Sequence, residues 1–461
     1  MDGTQQLEST RCMPLRVGPS PEVLAAIRAE MHARKLTLRD LMLENVTAQL
    51  VMEPIRQTGL NSGIFYFMET LPARAAALSP AQAVRGRPTT GTLRLLVLLV
   101  DFSDNQGSRS QQDFKDMLFS RAAYPTGSMR DYYKENSYSQ LDIDGDVIGW
   151  IRLPQTYSYY VNGSNGMGAY PQNAQETVED ALNLAVQQGV DFRQFDSDGD
   201  NYIDGLFVIH AGGGAEAQPD PAKRTAMIWS HQWNIRQPFV SNGKTAYAYL
   251  TVPEDGRVGV FCHEFGHMLG LPDLYDTSYK SEGVGAWCVM GGGSWNDGGL
   301  TPAHFCAWSK ARLGWIQPQI VNGAQSLSLN AIEQDRQAIY RLWTNGQTGD
   351  EYFLLENRQL TGFDAKLPGA GLLIWHIDDA RQDNTNPKDY WVGLEEADGN
   401  LDLENNNNRG DDGDPYPGRS NSQLFDDTSN PKSIDHGGNS TGVSVSNIQL
   451  QNGVITCDAR V

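Results

Sequence analysis

The chain has 461 residues, with 36 Lys plus Arg against 56 Asp plus Glu and a formal net charge of −20. That excess of acid excludes a protein that grips nucleic acid by releasing counterions from phosphates. A composition of 39% hydrophobic and 20% charged residues excludes disorder for most of the length, and no apolar run reaches the roughly 20 residues of a bilayer span.

In chain order, residues 1 to about 92 carry ten Lys or Arg and eight acids, the reverse of the balance in the remainder. This marks a separate segment. The first thirty residues show no signal peptide. Ser20-Pro21 reads as an N-cap with proline at the first helical position, and Leu24, Ile27 and Met31 then share one helical face. Leu38, Leu41 and Met42 suggest a second short helix, and Pro72 to Pro88 reads as an exposed linker with a cleavable Arg85-Gly-Arg87.

Leu95 to Val100 predicts a strand buried on both faces, followed by helices around Ser128 to Glu135 and Ala174 to Val190 and a buried strand at Gly205 to Ile209. Strands alternating with helices argue for α/β architecture. After Trp315 come short β-type runs at Ile339–Trp343, Tyr352–Leu355, Leu372–Ile377 and Val443–Ile455. The organisation expected is a pro-segment and linker over 1–91, a catalytic domain over 92–315 and a β-rich C-terminal domain over 316–461.

The stretch from Cys262 to Asp273 reads CHEFGHMLGLPD. On a helix His263 and His267 lie one turn apart on one face, where two imidazoles can grip one cation. Glu264 is placed to take a proton from metal-bound water. Gly270 lets the chain leave the helix through positive φ, and Pro272 blocks continuation. Asp273 then returns as a third ligand, leaving a fourth position open; Asp276 competes for that role, and spacing favours Asp273. The pattern HExxHxxGxxD differs from the metzincin form only in its last ligand. Met290, followed by three glycines, fits a tight turn beneath a zinc.

Asp196, Asp198, Asp200 and Asp204, with the carbonyl of Tyr202, follow the oxygen spacing of a calcium loop. Asn201 replaces the usual glycine, and Phe207 the usual glutamate. Asp411 to Asp414 is a weaker calcium candidate. His210, His231, His304 and His376 read as structural histidines, with His304 a possible oxyanion partner.

Taken together, Ser128–Tyr138, Asp204–His210, Ile228–His231, His263–Asp276, Tyr352–Arg358, Leu372–Asp378 and Arg409–Pro415 resemble peptidase family M6, the immune inhibitor A type of secreted metalloprotease. The resemblance implies a zinc- and calcium-dependent endopeptidase made as a zymogen, acting on protein or peptide substrates outside the cell. The fold expected is an α/β metzincin-like zinc protease domain with a helical pro-segment before it and a mainly β domain after it. The rival is a calcium-stabilised adhesion protein with an inactive protease fold, to which Glu264 would be of no use. Latency is assigned to the N-terminal segment, with Cys12 the candidate for closing the zinc's open position. The reason is that the other four cysteines, Cys262, Cys288, Cys306 and Cys457, can pair among themselves.

Overall fold

The computed structural model describes residues 14–34 and 89–461. The expected second helix, the linker and Cys12 lie outside the described residues.

The central sheet has six strands: β1 (Leu15–Arg16), β2 (Gly91–Asp101), β3 (Leu141–Arg152), β4 (Leu206–His210), β5 (His231–Ser241) and β6 (Lys244–Pro253), in the order β1-β5-β6-β4-β2-β3. Strands β3, β2, β4 and β6 run parallel, whereas β5 is antiparallel to β6 and β1 is antiparallel to β5. The apolar run in β2 divides by alternation. Leu95, Val97 and Leu99 enter one core, and Leu96, Leu98 and Val100 enter the other. A strand with no polar face needs helices on both sides.

Helix α1 (Pro21–Arg34) precedes β2, while α2 (Gln111–Phe119), α3 (Met129–Asn136), α4 (Ala174–Gln187) and α5 (Val258–Met268) follow it. Helix α4 covers one face with Val178, Ala181, Leu182 and Ala185. Helices α3 and α5 cover the other, where Tyr133 meets Phe265 edge-on at 5.0 Å. Ser128 caps α3 in a reciprocal box with Asp131. Ser20 likewise caps α1, its hydroxyl accepting from Val23 N at 3.4 Å. Leu24, Ile27 and Met31 are the face that α1 buries.

Beyond Trp315 the chain forms two further sheets. One has the order β12 (Val392–Leu394), β11 (Gly371–Asp378), β10 (Glu351–Arg358), β9 (Tyr340–Leu342), β7 (Gln319–Ile320). The other has the order β13 (Leu424–Phe425), β14 (Ser444–Gln451), β15 (Val454–Arg460), β8 (Ala324–Leu329). Leu354, Leu373 and Trp375 join the core that contains α5, and Phe353, Leu355, Leu372 and Ile374 face the last sheet. The middle sheet is therefore buried on both sides. Buried Arg358 pairs with Asp364 at 2.6 Å and donates to Trp287 O at 3.1 Å, which fastens β10 to the turn carrying Met290. No helix among the described residues is long and apolar enough to cross a membrane.

Candidate active site

Every residue of α5 is buried, so its two histidines are presented from a fixed rod. The helix stops where glycine permits: Gly270 has φ of +104°, and Leu271 N returns to Gly266 O at 3.1 Å. The loop beyond is pinned at Leu274, whose N–H donates to Met290 O at 2.8 Å and whose carbonyl accepts from Val284 N at 3.1 Å. Asn384 Nδ2 adds a second donor to the same carbonyl at 2.8 Å. Asp273 is thereby carried back to the helix.

His263 Nε2 and His267 Nε2 lie 3.0 Å apart, and Asp273 Oδ1 stands 3.1 and 3.2 Å from them. Both Nδ1 atoms face carbonyls, His263 that of Val289 and His267 that of Leu271, each at 2.8 Å. A carbonyl only accepts, so each Nδ1 carries a proton, and in the neutral imidazole each Nε2 then presents a lone pair. Three electron-rich atoms facing one another repel unless a cation lies among them. A donor set of two imidazoles and one carboxylate suits zinc. The competitor Asp276 is turned away: its carboxylate accepts from the N–H groups of Ser278, Lys280 and Ser281 and caps the following turn.

Met290 lies under this helix. A Cβ at Gly266 would fall 2.6 Å from its Sδ, so glycine is what allows the turn to close on α5. Glu264 is buried beside the donors, and burial, reinforced by the charge of Asp273, holds its carboxyl well above the usual carboxylate range.

The immune inhibitor A peptidase M6 catalytic domain matches residues 82–322, half of the chain. The chain belongs to this family. Immune inhibitor A of Bacillus thuringiensis subsp. alesti is 34% identical over 286 residues, covering 50% of this chain and 41% of that protein. Pre-pro-metalloprotease PrtV of Vibrio cholerae serotype O1 is 33% identical over 294 residues, covering 52% of this chain and 32% of that protein in each of two strains. The match therefore spans less than half the length of these relatives.

In this M6 chain the residues before α1 lie across the site. Leu15 and Arg16 extend the sheet beyond β5, opposite Gln232 and His231. Val17 N donates to Glu264 Oε1 at 2.8 Å, and Tyr275 Oη donates to Arg16 O at the same distance. Trp229 Nε1 donates to Val17 O at 2.9 Å and Trp295 Nε1 to Gly18 O at 2.8 Å. Further on, Arg28 pairs with Glu282 at 2.6 Å and donates to the carbonyls of Tyr279 and Ser281. A two-residue strand has no periodicity to read, and none of these partners lies within two hundred residues of its mate. Only Tyr275 left a signal, as an aromatic two positions beyond Asp273.

The remaining expectations divide. Asp196, Asp198 and Asp204 converge, their carboxylate oxygens within 4.8 Å of one another, while Asp200 stands outside that group and accepts from Tyr202 N at 2.7 Å. Asn201 adopts the left-handed turn with φ of +73°. Lys244 Nζ binds Asp196 Oδ2 at 2.5 Å. The cysteine pairing is corrected: Cys262, Cys288, Cys306 and Cys457 are all buried free thiols, packed as small apolar side chains, so elimination no longer singles out Cys12. His304 is corrected as an oxyanion partner. Its Nε2 is engaged by Glu135 at 2.8 Å and its Nδ1 by Lys310 at 3.0 Å, which leaves no nitrogen for a reacting oxygen. Burial depresses His210 to about 4 and His231 to about 3, as expected of neutral structural imidazoles.

Proposed function

We propose that this M6 chain is a zinc-dependent endopeptidase, with His263, His267 and Asp273 as the metal's ligands and Glu264 as the general base. The observation that carries the reading is the convergence of three lone-pair atoms beside a buried carboxylate that binds no other side chain's proton. Zinc, when bound there, supplies a Lewis acid and a water that loses its proton near neutral pH. The protein's own part is proton traffic and orientation. Glu264 receives the water's proton and hands it to the leaving amine. Its Oε1 already faces an amide N–H, that of Val17. The carbonyls of Val289 and Leu271 hold the imidazoles in the tautomer a metal needs, and Met290 supports the helix from below.

The same contacts support latency. The segment at residues 15–18 covers Glu264, so removing the region before about residue 91 is the proposed activating step, with catalytic residues over 92–315 and a β-rich region over 316–461. Calcium at Asp196, Asp198 and Asp204, with Tyr202 and Asp200 completing the loop, is the proposed stabiliser. Casein hydrolysis that a zinc chelator stops and added zinc restores is the expected result. Hydrolysis indifferent to the chelator overturns the reading.

A further inference from the structure

The proposed chemistry leaves one task without a residue: something must stabilise the oxygen of the scissile carbonyl as it becomes negative. We infer that Tyr275 is that catalytic residue, its phenol donating a hydrogen bond to the substrate carbonyl. The inference rests on the endopeptidase reading above and deepens it.

The peptide group joining Arg16 to Val17 is the evidence. Its N–H donates to Glu264 Oε1 at 2.8 Å, and its C=O accepts from Tyr275 Oη at 2.8 Å. One amide is thus held at both ends, at nitrogen by the carboxylate that would protonate a leaving amine and at oxygen by a phenol. A substrate adding to the β5 edge in place of β1 presents the same two groups in the same order.

The phenol is rigidly aimed. Its ring lies 6.3 Å from that of Tyr279 at 16° and 6.4 Å from that of His263. Gly283, with φ of +59°, passes so close that a Cβ there would fall 2.8 Å from Tyr275 Cα. The chain after β1 crosses the ring at Gly18, where a Cβ would stand 3.3 Å from it. Among the described residues the hydroxyl's hydrogen bond is to this one carbonyl, so departure of the strand leaves the donor pointing into the cleft.

The step balances without consuming the phenol. Water oxygen bonds to the carbonyl carbon, negative charge collects on the carbonyl oxygen, and Tyr275 keeps its proton while donating to that oxygen. The C–N bond then breaks, and the proton lodged on Glu264 goes to the amine. A donor that strengthens as charge builds is worth about 10²- to 10³-fold in kcat.

The competing role is purely structural: Tyr275 only holds the covering strand. The two roles predict opposite signs. Full-length, zinc-loaded chains carrying Val17→Pro, or Val17→Pro with Tyr275→Phe, are compared on one peptide substrate and in binding a phosphinic peptide, an inert mimic of the tetrahedral state; melting temperature and zinc content verify folding. The expected result is a kcat about 10²-fold lower in the double variant, with KM within about threefold and a similar loss in phosphinic-peptide affinity. A double variant that equals or exceeds the single one in kcat and binds the phosphinic peptide as tightly overturns the inference. If neither chain exceeds Glu264→Gln in hydrolysis, the endopeptidase reading fails, and the binding comparison still decides Tyr275.

Discussion

Val17 N donates to Glu264 Oε1 at 2.8 Å, joining positions 247 residues apart. The proposed base is thus engaged by its own chain, and Val17 N also approaches Ser230 O at 3.3 Å. Proline at position 17 removes both bonds, because it has no N–H. If the two together are worth about 1.5–3 kcal/mol, the covered state weakens by one to two decades. Peptide hydrolysis by full-length Val17→Pro is expected to exceed that of the unaltered chain about 10- to 100-fold, read from initial rates.

Gly266→Ala tests the turn under the helix. Alanine would gain about 1 kcal/mol in helix propensity, yet its Cβ would lie 2.6 Å from Met290 Sδ in a filled core. Overpacking of this kind costs about 1–3 kcal/mol. The expected outcome is a net loss of stability in denaturant titration. Adding Met290→Ala should recover part of it, giving a coupling that two distant sites would lack.

His376 sets a pH dependence. Burial opposes its charge, but hydrogen bonds to Glu351 at 2.9 Å and Glu395 at 3.0 Å outweigh it and raise the imidazole to about 9. The unfolded value is about 6.5, so the ion pairs stabilise fully below that pH and lose their effect as pH rises through about 9. The contribution is at most about 3 kcal/mol. Melting of the unaltered chain minus that of His376→Gln should therefore shrink between pH 6.5 and 9.

Calcium binding at the acidic loop is tested through Asp198, an exposed carboxylate. A ligand that binds only the folded state at a hundredfold over Kd stabilises by about 2.7 kcal/mol. Melting should rise with added calcium in the unaltered chain and not in Asp198→Asn, which keeps an acceptor for Asp200 N but drops the charge. An equal rise in both would remove this loop from the account.

The parts of the molecule legible in the sequence were those in which local periodicity and chemistry agree. His263 and His267 follow helical spacing, Gly270 and Pro272 end the helix, and Leu95 to Val100 has no polar face to expose. Asp273 was legible for the same reason, since a glycine-led exit fixes where the chain returns. What was hidden depends on distant partners. Arg16, Val17 and Gly18 look like any loop, and their meaning comes from Glu264, Tyr275, Trp229 and Trp295. Counting cysteines pointed to Cys12 because it assumed pairing, whereas burial alone accounts for the other four. Likewise Asp200 matched a spacing, but the turn's backbone sends its carboxylate to Tyr202 N.

The most direct test of the central claim compares full-length Val17→Pro with and without Glu264→Gln, at equal measured zinc content, on one protein substrate. The account predicts that both chains hold zinc and that the Gln variant loses about 10²- to 10⁴-fold in rate, because a base and not a ligand has been removed. A Glu264→Gln chain that cleaves as fast as its parent, or one that loses its zinc, would contradict it.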